Sequence, residues 1–163
     1  MAARPPLKLQ VNAAHTIVLK STTVIRDGLP SVDLLDGGAI GIGGGVQRHS
    51  TNGSVALTRG KSGLRVEARR RGANSLLIGT AADPDLLLFD ALTTIDAKAY
   101  ADLGQMFGGT RLLKDARVTL AFDNITNRRQ RVTDLSGVTP QAYQPVRRDP
   151  IGRTVMLEVR KVF

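Results

Sequence analysis

The sequence predicts an all-β fold, an antiparallel meander of about six long strands. Three observations predict it. Apolar and polar residues alternate with a period of two in six separate windows, as they do along a strand whose successive side chains point to opposite faces. No such window keeps the i, i+3, i+4, i+7 apolar stripe of a helix. The connections between the windows run long, short, long, short, long. Together with a first window longer than the usual strand of about five or six residues, this rhythm matches outer-membrane barrels, which join extended outer loops to tight inner turns. The expected architecture is therefore a partial transmembrane β-barrel.

Each window carries its own alternation. The first sets Leu7, Leu9, Val11, Ala13, His15, Ile17 and Leu19 against Lys8, Gln10, Asn12, Ala14, Thr16, Val18 and Lys20. In the second, Gly53, Val55 and Leu57 alternate with Asn52, Ser54, Ala56 and Thr58; in the third, Leu64, Val66 and Ala68 alternate with Arg65, Glu67 and Arg69. The fourth opposes Ile95, Ala97, Ala99, Ala101 and Leu103 to Thr94, Asp96, Lys98, Tyr100 and Asp102. Val118, Leu120 and Phe122 face away from Arg117, Thr119, Ala121 and Asp123 in the fifth. The sixth sets Val155, Leu157 and Val159 against Thr154, Met156, Glu158 and Arg160, with Phe163 in the apolar phase. The connections are residues 21–48, 60–63, 72–91, 104–115 and 126–149.

Composition narrows the function classes. The chain has 163 residues, 42% hydrophobic and 23% charged, which places it among ordered proteins of about one domain. Without cysteine, thiol catalysis, disulfide scaffolds and cysteine zinc sites are excluded. His15 and His49 are the only histidines, too few for a histidine-rich metal centre. Aromatic residues make up 4% and there are 17 glycines, a poor supply for a soluble sandwich core. No run of about 18 apolar residues suggests a transmembrane helix, and residues 1–6 lack the apolar segment of a secretory leader.

Chemistry-bearing motifs are few. The glycine run of residues 37–45 has no helix after it to present amides to a phosphate, so it reads as a flexible outer loop. Gly60-Lys61-Ser62 lacks the preceding glycine of a nucleotide-binding loop and sits between two strand patterns, as a turn would. No Ser-His-Asp set or paired catalytic carboxylates stand out, and the chain is not expected to be an enzyme. It is not expected to hold a cofactor either. The charge of +9 concentrates in arginines: Arg65, Arg69, Arg70 and Arg71 along the third strand, and Arg128, Arg129, Arg131, Arg147 and Arg148 in the last connection. No stacking aromatics are interleaved with them, which argues against nucleic acid. A second group of charges, Arg65, Glu67, Arg69, Asp96, Lys98, Asp102, Arg117, Asp123, Glu158 and Arg160, falls on the polar face, where opposite signs on neighbouring strands form ladders.

The C-terminal part carries a resemblance. Residues 118–127, Val-Thr-Leu-Ala-Phe-Asp-Asn-Ile-Thr-Asn, resemble the penultimate strand and corner of TonB-dependent outer-membrane receptors. Gly137-Val138-Thr139-Pro140 and Tyr143-Gln144-Pro145 resemble their last outer loop. Residues 149–163, with Pro150-Ile151-Gly152-Arg153 and the terminal Phe163, are similar to their closing strand. Weaker likeness extends upstream through residues 34–38 and 47–50. Ile125-Thr126 departs from the more usual Leu-Phe, and the aromatic girdle of such barrels is thin here.

The resemblance implies that the chain is the last six or so strands of a barrel of about 22, without the plug domain or leader of the family. It would form wall and outer loops of an importer for a ferric siderophore or similar nutrient, and would not transport alone. The implied location is the bacterial outer membrane. The implied partners are outer-membrane lipid and lipopolysaccharide, the barrel-assembly machinery through Phe163, and an anionic ligand such as a ferric chelate. The TonB complex would be reached only through a plug. Arg128, Arg129, Arg131, Tyr143, Arg147 and Arg148 are the expected ligand or lipid contacts, because guanidinium groups bind phosphate and carboxylate oxygens in forked pairs. The competing expectation is a soluble basic β-protein that binds nucleic acid or another polyanion.

Overall fold

The computed structural model describes residues 5–39, 44–79, 84–107 and 113–162. In chain order the strands are β1 (Leu7–Ile17), β2 (Thr22–Thr23), β3 (Val32–Asp33), β4 (His49–Arg59), β5 (Ser62–Arg71), β6 (Asn74–Gly79), β7 (Pro84–Phe89), β8 (Leu92–Asp102), β9 (Ala116–Asp123), β10 (Val132–Thr133) and β11 (Thr154–Lys161). Two single-turn helices, α1 (Leu103–Met106) and α2 (Pro145–Arg148), lie in connections, with a 3-10 turn at Gln141–Tyr143.

The six alternating windows become one sheet. Its order is β1-β4-β5-β8-β9-β11, and every neighbouring pair is antiparallel. Hence each long strand pairs with the next long strand along the chain, as a meander requires. The register keeps apolar residues in rows across all six strands. One row reads Val11, Val55, Val66, Ala97, Phe122, Val155; the next reads Leu9, Leu57, Leu64, Ala99, Leu120, Leu157. A slip of one residue in any pair would turn that strand's apolar set onto the charged face, so the two rows fix the register.

Among the described residues, nothing covers this apolar face. Even at the sheet centre, Leu57, Val66 and Leu120 remain 36–37% exposed, while Leu9 and Leu157 on the outer strands reach 64% and 67%. Strands β1 and β11 are paired on one side only, so the described strands form an open sheet and close no barrel.

The buried core lies elsewhere. The three long connections leave the same end of the sheet, after Ile17, Arg71 and Asp123. There β6 and β7 form a hairpin, and β10 adds to β7 through Val132 opposite Phe89. Leu87, Phe89 and Val132 are at most 1% exposed, and Leu76, Ile78 and Tyr143 pack on them. The sequence reads residues 72–91 and 126–149 as plain loops; instead they build a small three-stranded cap. The reason is visible in the residues. Leu76-Leu77-Ile78 and Leu86-Leu87-Leu88-Phe89 are continuous apolar runs, so they show no period of two.

The glycine run also differs from a free loop at its described ends; residues 40–43 lie outside the described set. Gly45 donates to the Ser75 carbonyl. A Cβ there would come within 2.4 Å of the Leu34 carbonyl oxygen, so only glycine lets the segments touch. Phe163 lies outside the described residues, and β11 ends at Lys161.

Candidate functional site

The polar face of the main sheet holds a charge network set by register. Glu67 of β5 stands directly opposite Asp96 of β8, a like-charged pair that is unfavourable alone. Arg69, two residues along β5, lies between them. It is ion-paired to Asp96 and reaches Glu67 at 3.7 Å, while Arg65 approaches Glu67 from the other side at 3.3 Å. Asp96 also accepts the backbone N–H of Asn124 at 2.7 Å, which ties this network to the corner after β9. Thus some of the expected cross-strand ladder forms, and Arg69 is its hub.

Toward the short-turn end the same face becomes a concavity of about 660 Å³. Arg65, Lys98, Tyr100, Arg117, Glu158 and Arg160 are among its lining residues. Arg117 lies 5.3 Å from the Tyr100 ring centre, a cation–π contact. Lys61 reaches Asp102 at 3.6 Å, and the Asp102 carboxylate also caps α1 by accepting the Gln105 N–H at 2.9 Å. Gly63 sits opposite Tyr100 in register, and a Cβ there would meet the phenol oxygen at 2.7 Å. Glycine at this position therefore leaves room for the ring to lie across β5.

At the long-loop end the six proposed contact residues separate into two groups. Tyr143 packs edge-on against Phe89, with ring centres 5.8 Å apart, and is half-buried in the cap. Arg148 lies over the Phe89 ring, 5.0 Å from its centre, and donates to Gln130 Oε1 at 3.0 Å. Arg129 donates from Nε to the Asp149 carbonyl at 2.8 Å. These three are held by the protein itself. Arg128, Arg131 and Arg147 are exposed. Their side chains have no hydrogen-bonding or ionic partner among the described residues, so their guanidinium groups can reach an external anion.

The two motifs behind the family resemblance touch each other. Asn124 and Asn127 both adopt φ of +50°, which turns the chain sharply after β9. Asn124 is buried; its Nδ2 donates to the Arg128 carbonyl at 2.8 Å and its Oδ1 accepts the Arg128 N–H at 3.1 Å. The Asn127 carboxamide oxygen accepts the Arg153 N–H at 3.2 Å, and Arg153 donates to the Ile125 carbonyl at 3.3 Å. Gly152, at φ +66°, permits this approach.

The sequence leaves His15 and His49 apart, yet register joins them. Pairing His15 with Thr51 and Ile17 with His49 puts the imidazoles side by side on the apolar face, with ring centres 5.5 Å apart. No residue-type pattern signals this; only the β1–β4 register does. Among the described residues, no group of three or more His, Asp or Glu side chains could hold a metal ion. Compared with protein-family models, with curated proteins and with solved structures, the chain matches none.

Proposed function

We propose that this chain forms part of the wall and outer loops of a TonB-dependent outer-membrane receptor, with the apolar rows toward hydrocarbon and the charged face toward the lumen. The observation that carries the reading is the uncovered apolar face. A sheet with one apolar side normally buries it against a second layer; here the opposite side is charged, and among the described residues no layer lies over the apolar side. Lipid is a solvent in which that face needs no covering.

Length agrees with this. The 11 residues of β1, β4 and β8 rise about 37 Å, and a tilt of about 40° leaves about 28 Å along the membrane normal, enough for an apolar band of about 25 Å. The open edges of β1 and β11 need further strands beside them, because unpaired backbone groups are costly in hydrocarbon. The long-loop end then faces outward. Arg128, Arg131 and Arg147 there meet lipopolysaccharide phosphates or an anionic chelate. The soluble polyanion-binding alternative leaves the apolar rows unexplained.

The absence of cysteine makes spin labelling direct. Single cysteines at Leu57, Val66 and Leu120, and at Arg65 and Lys98, are labelled in the full chain reconstituted in phospholipid vesicles. Labels at the first three positions are expected to collide with dissolved oxygen and be shielded from a water-soluble nickel chelate, and the other two to show the reverse. Nickel accessibility on both faces, or a monomer stable in detergent-free buffer, would overturn the proposal.

A further inference from the structure

The geometry points to a divalent transition-metal site formed by His15 and His49 at the long-loop end of the apolar face. His15 Nε2 and His49 Nδ1 stand 3.4 Å apart and share a hydrogen bond, whose proton a bound ion would displace to solvent. Two imidazole nitrogens bound to one tetrahedral zinc ion, each at about 2.0–2.1 Å, stand about 3.3–3.4 Å apart. The two nitrogens are therefore already spaced as a chelating pair.

A neighbouring side chain orients the pair. His15 Nδ1 lies 2.8 Å from Thr51 Oγ1, directly opposite it in the ladder. In the tautomer that donates this N–H to the hydroxyl, the Nε2 lone pair points toward His49. Metal-binding histidines are commonly held this way, through a hydrogen bond from the second ring nitrogen that fixes ring orientation. The ladder itself supplies the rest, since β1 and β4 are paired along the whole length of both strands.

Local charge sets the strength of the site. Arg70 is opposite Thr51 on β5, but its Nη1 donates to Thr93 Oγ1 at 3.3 Å, toward β8 and away from the imidazoles. No third protein ligand is near among the described residues. Two imidazoles with open positions favour an exchangeable zinc or copper ion; calcium and magnesium, which select oxygen ligands, fit poorly. Both histidines are exposed at the long-loop end of β1 and β4, the end that the proposed function turns outward, so the ion reaches them from the aqueous side of that rim.

The test uses the full chain in detergent micelles, titrated with copper(II) and read by electron paramagnetic resonance, with zinc(II) titration by calorimetry. The H15A/H49A variant supplies the background from the amino terminus. The expected result is one site per chain with two coupled imidazole nitrogens, and affinity at least tenfold weaker in H15A and in H49A. The milder H15Q and H49Q changes are expected to give the same loss, with circular dichroism reporting that each variant keeps its sheet. Thr51→Val is expected to weaken binding about tenfold while two nitrogens remain coupled. A single coupled nitrogen in the unaltered chain, or equal affinity in H15A/H49A, would overturn the site. Unchanged affinity in T51V would overturn the orienting role of Thr51.

Discussion

The cap and the six-stranded sheet are made from the same chain and solve opposite problems. The cap is small, yet it hides Leu87, Phe89 and Val132 almost completely. The sheet is several times larger, and its rows of Val and Leu stay open. Sequence pattern follows the difference only in part: the cap strands are continuous apolar runs in which Leu87 and Phe89 are buried while Leu77 and Leu88 stay exposed, and the sheet strands alternate strictly with their apolar side bare. What this teaches is that burial within the chain and apolarity are separate properties. The cap follows the rule for a fold in water, and the proposed membrane wall explains why the sheet does not.

The sharpest way to break this comparison is Phe89→Ala. Loss of its packing against Tyr143 and the β6–β7 hairpin is expected to destabilise the cap by about 3–5 kcal/mol, read as lost hydrogen-exchange protection in β6, β7 and β10 while the long strands stay protected. If protection falls equally throughout, cap and sheet are one cooperative unit and the contrast fails. A slightly smaller effect is expected from Val66→Arg, near the middle of β5 on the apolar face. It is expected to cost about 2–4 kcal/mol in a bilayer but no more than about 0.5 kcal/mol for an exposed site in water. Unfolding titrations in vesicles decide between the two. The smallest effect is expected from Asn124→Ala, which removes the paired hydrogen bonds to Arg128 and places alanine at positive φ; it should cost about 1–3 kcal/mol, seen as a lower unfolding midpoint. A larger loss would mean that the corner organises the whole β9–β11 pair rather than only the turn.

Most of the main sheet was legible because period-two alternation determines both its strands and their facing. All six long strands lie where the alternation puts them, with small shifts: β1 stops at Ile17 rather than running to Lys20, and β4 begins at His49 rather than Asn52. The cap was not legible, since continuous runs such as Leu86-Leu87-Leu88-Phe89 carry no period. The candidate site was legible only in part. Charge clustering located the loop arginines, but it could not tell Arg148, occupied by Phe89 and Gln130, from Arg147, which extends outward. Nor could it find Arg69 as the hub between Glu67 and Asp96, because that role depends on which residue of β8 lies opposite β5.

The order of the sheet has a consequence for how such a chain can change by descent. Because every long strand pairs with its sequence neighbour, the sheet divides into hairpins that each enter and leave from the same end. Duplicating or deleting one hairpin leaves every other strand pointing as before and keeps the apolar and charged faces in phase. Removing a single strand would invert all that follow. The natural unit of gain and loss in this architecture is therefore the strand pair, and gene length should vary in steps of two strands.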